Sequence, residues 1–257
     1  MLFVQYTDFD YPFFLEPGDS LVVDFRLLAN PDTIRTMNFT IVNDERTIFS
    51  GNNKPKFSFF DTLERKLGTL ADLPFKLELT SHNFLAVYKR SLDSLRNARL
   101  LFLSTYIRKY KLSDAFRRTA TYEIEGSFLY LLQMAIFYRG KTRDFSDNYF
   151  SEINKQRFSW DQLRSSRTYS GAFRMFIGSF LGHKLKLKKR EELPGVYRYI
   201  LRSIFDDSLR NYGLTSLITN ANTDTRSEFR ALFKNYLEDC TNKHYINAVR
   251  KKFRVVE

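Results

Sequence analysis

The sequence contains a single cysteine, Cys240, so no disulfide can close within the chain and a sulfur-stapled fold is excluded. Histidine is almost as scarce, with three in 257 residues. No stretch approaches the run of about 18 apolar residues that a membrane-spanning helix needs. The longest oily segment, Phe128 to Tyr138, carries Gln133 and is bounded by Glu125 and Arg139, which predicts a buried helix instead. No glycine-rich phosphate loop is present, and no nucleophile stands beside a base at a spacing that would suggest catalysis. The N-terminus lacks the basic start, apolar centre and small-residue cleavage site of an export signal. Its alternation, Leu2, Val4 and Tyr6 against Phe3, Gln5 and Thr7, predicts a strand already under way, as in a chain cut from a longer one. A cytoplasmic protein is the literal alternative.

What is abundant is positive charge and aromatic side chains. The formal net charge is +12, and 16% of residues are Phe, Trp or Tyr. The cations are interleaved with acids along the whole chain, which argues against a dedicated nucleic-acid stripe. The densest run is His183-Lys184-Leu185-Lys186-Leu187-Lys188-Lys189-Arg190, followed at once by Glu191-Glu192. A solvated connector between helices accounts for it; the functional alternative makes Lys184, Lys186, Lys188, Lys189 and Arg190 a contact surface for an acidic partner or lipid headgroups. The aromatic residues fall mostly at helical core spacing, so they read as packing and not as a base-stacking platform.

Two halves of unlike period follow. Residues 1–53 have strand character: Leu21, Val23 and Phe25 alternate with Val22, Asp24 and Arg26 after the turn Pro17-Gly18-Asp19. Met37 to Val42 and Thr47 to Phe49, around the polar turn Asn43 to Arg46, predict a hairpin. From Pro55 the period becomes helical. Phe84, Tyr88, Leu92, Leu95, Phe102 and Tyr106 line one face of a long helix. Leu112-Ser113-Asp114 supplies a break and an N-cap, and Phe116, Ala120, Ile124, Phe128, Leu131 and Ala135 line a second helix, ended at Gly140. Shorter helices are predicted at 147–153, from a Ser165-Ser166 cap through Phe180, with Pro194 in the first turn of one at 195–211, and at 212–220. Thr225-Arg226-Ser227-Glu228 fits a capping box opening a helix with Phe229, Leu232, Phe233, Tyr236, Leu237 and Cys240 on one face. Asn242 caps the last helix, carrying Tyr245, Ile246, Val249 and Phe253. The fold class read from this pattern is α+β, mostly α: a small antiparallel β region over 1–53, the end of a truncated sandwich-like domain, then a helical domain of antiparallel pairs over 54–257.

The scattered polar residues give no chemistry. Cys240 and His244 are four apart, but Thr241-Asn242 interrupts the helix between them and no third ligand or orienting group stands by. His82 sits at a helix start and His183 in the basic run. Glu123 and Glu125, two apart, diverge on a helix. Asp206-Asp207 reads as a solvated pair, and Asn38-Phe39-Thr40 matches a glycosylation sequon, a frequent chance occurrence. No catalytic, cofactor or metal residue is assigned.

The segment Pro12-Phe13-Phe14-Leu15-Glu16-Pro17-Gly18-Asp19-Ser20-Leu21-Val22-Val23 resembles the strand-turn-strand near the front of TlpA-like thiol-disulfide oxidoreductases of Bacteroidetes. Phe49-Ser50-Gly51-Asn52-Asn53 is similar to the strand ending that follows there. Asp147-Asn148-Tyr149-Phe150 and Leu163 to Tyr169 resemble the helical insert, and Phe233 to Asn242 the helix before the catalytic domain. The resemblance implies an envelope or periplasmic location and a non-catalytic accessory region that positions a redox domain or binds its client. That family's chemistry resides in a Cys-x-x-Cys thioredoxin fold that this sequence lacks, so no catalytic residue carries over and no cofactor is expected. The implied partner is a protein client or an attached redox domain. The alternative is a standalone helical module binding an acidic partner, with nucleic-acid binding a weaker reading still.

Overall fold

A computed structural model describes residues 2–6, 9–20, 22–25, 47–50, 53–68, 84–138, 149–186, 189–221 and 226–253. Helices dominate it. The expectation of an α+β chain with a β region of its own is corrected: among the described residues the architecture is helical, with no sheet of more than two short strands. Strand pairing is confined to two separate ribbons, β1 (Leu2–Tyr6) with β2 (Phe9–Phe13) and β3 (Val22–Phe25) with β4 (Thr47–Ser50). Each has two strands of four or five residues, and the ribbons do not join. A lone two-stranded ribbon buries too little to stand as a domain. The strand β4 pairs with β3, Val22 facing Ser50 and Phe25 facing Thr47. Its predicted partner at 37–42 lies outside the described residues.

The helices are α1 (Lys54–Phe57), α2 (Phe59–Leu67), α3 (Phe84–Tyr110), α4 (Asp114–Tyr138), α5 (Ser151–Lys155), α6 (Trp160–Ser165), α7 (Arg167–Met175), α8 (Leu181–Lys184), α9 (Lys189–Ser203), α10 (Asp207–Asn220), α11 (Arg226–Asp239) and α12 (Lys243–Phe253). A five-residue π segment, Phe176–Phe180, joins α7 to α8. The chain forms two compact units, Met1–Phe128 with Thr142–Glu152, and Leu129–Lys141 with Ile153–Glu257.

In the first unit, α3 and α4 are the predicted amphipathic pair. Phe84, Tyr88, Leu92 and Tyr106 are buried on α3, and Phe116, Ala120, Ile124 and Phe128 on α4. The turn between them uses Lys111 at φ 52, and Ser113 Oγ accepts from the Phe116 amide at 3.0 Å, capping α4. Arg96 on α3 holds Glu125 on α4 through two bonds of 2.7 and 2.8 Å and lies over the Phe128 ring. Phe59 and Leu63 of α2 complete the core with Leu103, Tyr106, Phe116, Ala120 and Ile124.

In the second unit, Ser159 and Gln162 form a reciprocal capping box for α6, and Ser166 caps α7. The sequence reading passed directly to Ser166 and missed α6. Gln133, fully buried, donates to the carbonyls of Leu129 and Ala172 at 3.0 Å each. Asp206 caps α10 by accepting from the Leu209 amide at 2.7 Å, so the helix predicted at 195–211 is interrupted there. Asn242 accepts from the His244 and Tyr245 amides and opens α12. The capping side chains predicted at Thr225 and Glu228, and the C-cap at Gly140, lie outside the described residues.

Candidate functional site

The residues that draw the first unit together at one polar point are Glu16, Asp19, Asn53, Lys56 and Ser113. Glu16-Pro17-Gly18-Asp19 forms a tight turn closed by the Asp19 amide donating to the Glu16 carbonyl at 3.0 Å. Proline presets the first corner and Gly18, at φ 90, takes the positive-φ corner that side-chain-bearing residues resist. The turn is locked from outside as well as within. Lys56 Nζ donates to Glu16 Oε2 at 2.8 Å and to Asp19 Oδ2. Asn53 Nδ2 donates to Asp19 Oδ1 at 2.6 Å, and the Glu16 amide to Asp19 Oδ2 at 2.7 Å. Ser113 Oγ donates to Glu16 Oε1 at 2.8 Å while capping α4, so the loop, α1 and α4 meet on one carboxylate pair.

This cluster is dry on its cationic side. The Lys56 side chain is 2% exposed and that of Asp19 3%, whereas Glu16 keeps 29%. Lys56 Nζ also lies 5.6 Å from the centre of the Phe14 ring and 5.8 Å from that of Phe57. Phe14 in turn packs edge-on against Phe116. Burial pushes the Asp19 carboxyl up, but the Lys56 ammonium, the Glu16 amide and the Asn53 amide outweigh it and hold it below the ordinary aspartate range. A carboxylate whose folded pKa is depressed stabilises the fold fully above its unfolded value, about 3.9. That contribution is lost as pH falls through the lower folded value. Urea midpoints should therefore drop on acidification below about pH 4. Asp19→Asn, less stable at neutral pH, should show a flatter acid limb between those pH values.

The basic run is less continuous than the sequence suggests. Lys184, the last residue of α8, and Lys186, at φ 52 in the following turn, are exposed. Lys188 lies outside the described residues, and Lys189 and Arg190 already belong to α9, with side chains not described. Of the predicted connector, Leu185 and Lys186 form a turn after α8, and Pro194 falls inside α9 and not in its first turn. Cys240 is buried, whereas His244 is exposed on the next helix, so the two are not a joint site. Around Cys240 the polar groups are occupied structurally: the Tyr197 hydroxyl donates to Asp239 at 2.7 Å, and Tyr236 and Thr215 hydroxyls lie 3.0 Å apart. Burial, then the Asp239 carboxylate, pushes the Tyr197 phenol up. Glu125 is committed to Arg96 and Asp206 to its cap. Asn38 and His82 lie outside the described residues. Among the described residues, no cluster of three or more His, Cys, Asp or Glu is placed to hold a metal, and no helix is long and apolar enough to cross a membrane.

The Lys56 cluster was missed by the sequence reading, although its parts were in view. Two acids bracketing a Pro-Gly turn, and a lysine set between Pro55 and Phe57, are the available signal. Comparison with protein-family models, curated proteins and solved structures finds no match to this chain.

Proposed function

We propose that this chain is a non-catalytic accessory region of an envelope thioredoxin-like protein, which holds a redox domain in place or receives its client. One observation carries the reading. The two segments whose wording resembles the front of TlpA-like proteins, Pro12 to Val23 and Phe49 to Asn53, are distant in sequence but joined in space by the Asn53–Asp19 bond and, three residues on, by Lys56. Both motifs therefore serve one structural purpose, tying an N-terminal loop to a helical body. A turn anchored by buried charge orients what it joins and leaves no free group for bond-making, which suits a scaffold. Under this reading the binding partner is a protein, and the chain contributes shape and charge.

The test is kinetic. A thioredoxin-fold domain with Cys-x-x-Cys, of TlpA-like type, is assayed for disulfide reduction of several protein clients, alone and fused behind this chain. The fusion should change kcat/KM for protein clients severalfold and leave reduction of a small aromatic disulfide unchanged. Equal rates for every client, or turnover by the chain alone that a single polar substitution abolishes, would overturn the proposal.

A further inference from the structure

Five cations gather at one end of the second unit. The helices α11 and α12 run antiparallel: the turn Cys240 to Asn242 joins them at one end, and at the other Phe253 packs on Phe229 and Phe233, with ring centres 4.9 and 6.4 Å apart. Arg230 and Lys234 follow Phe229 and Phe233 by one residue, and Arg250, Lys251 and Lys252 immediately precede Phe253. All five are exposed. Lys252 donates to the Thr219 carbonyl at 2.6 Å, which places the C-terminal end of α10 at the same pole. Arg230, Lys234, Arg250 and Lys251 have no ion-pair partner among the described residues.

Among the described side chains, the acids of these helices lie elsewhere. Glu238 and Asp239 sit at the opposite end of α11, and Asp206 and Asp207 at the N-terminus of α10. The N-terminal parts of α10 and α12 are together, since Asn211 and Thr241 exchange bonds of 2.9 and 3.1 Å. The acidic pole and the basic pole are thus separated by the length of the helices. The α12 helix has no acidic residue at all. The side chain of Glu228, near Arg230 in sequence, is outside the described residues.

We infer that this basic pole is a docking surface for an acidic segment of a partner protein. Three features select that occupant. Exposed like charges at one end of a helix pair, with no ion-pair partner among the described residues, favour a carboxylate-rich partner in high dielectric by steering and register. A lipid surface would ask for an exposed apolar wedge beside the cations. Among the described residues, the exposed large apolar side chains, Leu15, Val87, Leu101, Tyr110 and Phe205, all lie on other segments. A single-stranded nucleic acid would ask for an exposed aromatic platform. Here Phe229 and Phe233 are turned into the core, 8% and 6% exposed, and the half-buried Phe253 ring packs on both.

The inference does not depend on the accessory-region reading, and its test contains no redox domain, so either can fail without the other. Fluorescein-labelled poly-glutamate is titrated with the full chain by anisotropy at low and physiological salt. Arg250→Glu with Lys251→Glu should weaken binding about tenfold, two rim charges each being worth a few-fold and reversal adding repulsion. The neutral pair Arg250→Gln with Lys251→Gln should give a smaller loss of the same sign. Lys184→Glu with Lys186→Glu should leave affinity within about twofold, since those cations belong to α8 and the turn after it, not to α11 or α12. No binding of poly-glutamate, an equal loss in the Lys184/Lys186 variant, or tighter binding of an oligonucleotide of matched charge or of vesicles rich in anionic lipid would each overturn the proposal.

Discussion

Lys56→Met should cost the first unit about 3–5 kcal/mol at neutral pH, because it leaves buried carboxylate charge without its cation. The intact cluster is not itself strong evidence of stability, since desolvating three charges consumes most of their attraction. The asymmetry appears on removal of one partner. Asp19, with its side chain 3% exposed, would keep only the Asn53 amide and the Glu16 backbone amide, while Glu16 retains Ser113 and some solvent. The burial effect that already pushes Asp19 up would then prevail, and its pKa would rise above the unfolded value. A group with a raised folded pKa contributes stability below its unfolded value and loses it as pH rises through the folded one. The deficit of Lys56→Met relative to wild type should therefore be largest at neutral pH and narrow below about pH 4. Urea denaturation across that range measures this directly. The triple change Glu16→Gln, Asp19→Asn, Lys56→Met removes the buried charge altogether and should recover much of the loss. If the triple variant is no better than Lys56→Met, loss of the lysine's apolar stem and its contacts with Phe14 and Phe57 accounts for the cost instead.

Elements governed by local pattern were legible in the sequence. The stripe from Phe116 to Ala135 is buried at every predicted position, because a core-facing helix repeats its apolar residues at the helical period whatever it packs against. Ser113, Ser166 and Asn242 were readable as caps, since a cap depends on the few residues after it. Alternating residues near the front do not make a β region, because the pairs of short strands they form do not amount to a layer. The start of α9 is not marked by Pro194, although proline favours a first turn. Lys189 to Leu193 already continue helically ahead of it. The Lys56 cluster could not be read locally at all: Glu16 and Lys56 are 40 residues apart and meet where Phe14 lies between the Lys56 ammonium and Phe116 of α4.

Phe59→Ala should be as damaging as loss of Lys56, through a different force. The Phe59 side chain is fully buried. Its ring meets Phe60 at 5.0 Å, Tyr106 at 5.2 Å, Phe116 at 5.5 Å and Phe102 at 5.9 Å, with the first three edge-on. Truncation removes the transfer free energy of the ring, leaves a cavity and breaks three favourable edge-to-face contacts, about 3–5 kcal/mol together. Phe59→Leu keeps most of the apolar volume, so it should cost distinctly less; a large gap between the two variants identifies cavity formation as the cause. The pH dependence separates this defect from that of Lys56→Met. No charge is uncovered in Phe59→Ala, so its deficit should run parallel to wild type from pH 7 down through the acid limb. Amide exchange should rise along α2, along α3 near Leu103 and Tyr106, and at Phe116 to Ile124, where the side chains that line the cavity are rooted. A deficit that shrank on acidification would mean that the aromatic cluster acts mainly by keeping water from Lys56 and Asp19, since Phe116 packs on both Phe59 and the Phe14 ring beside that lysine.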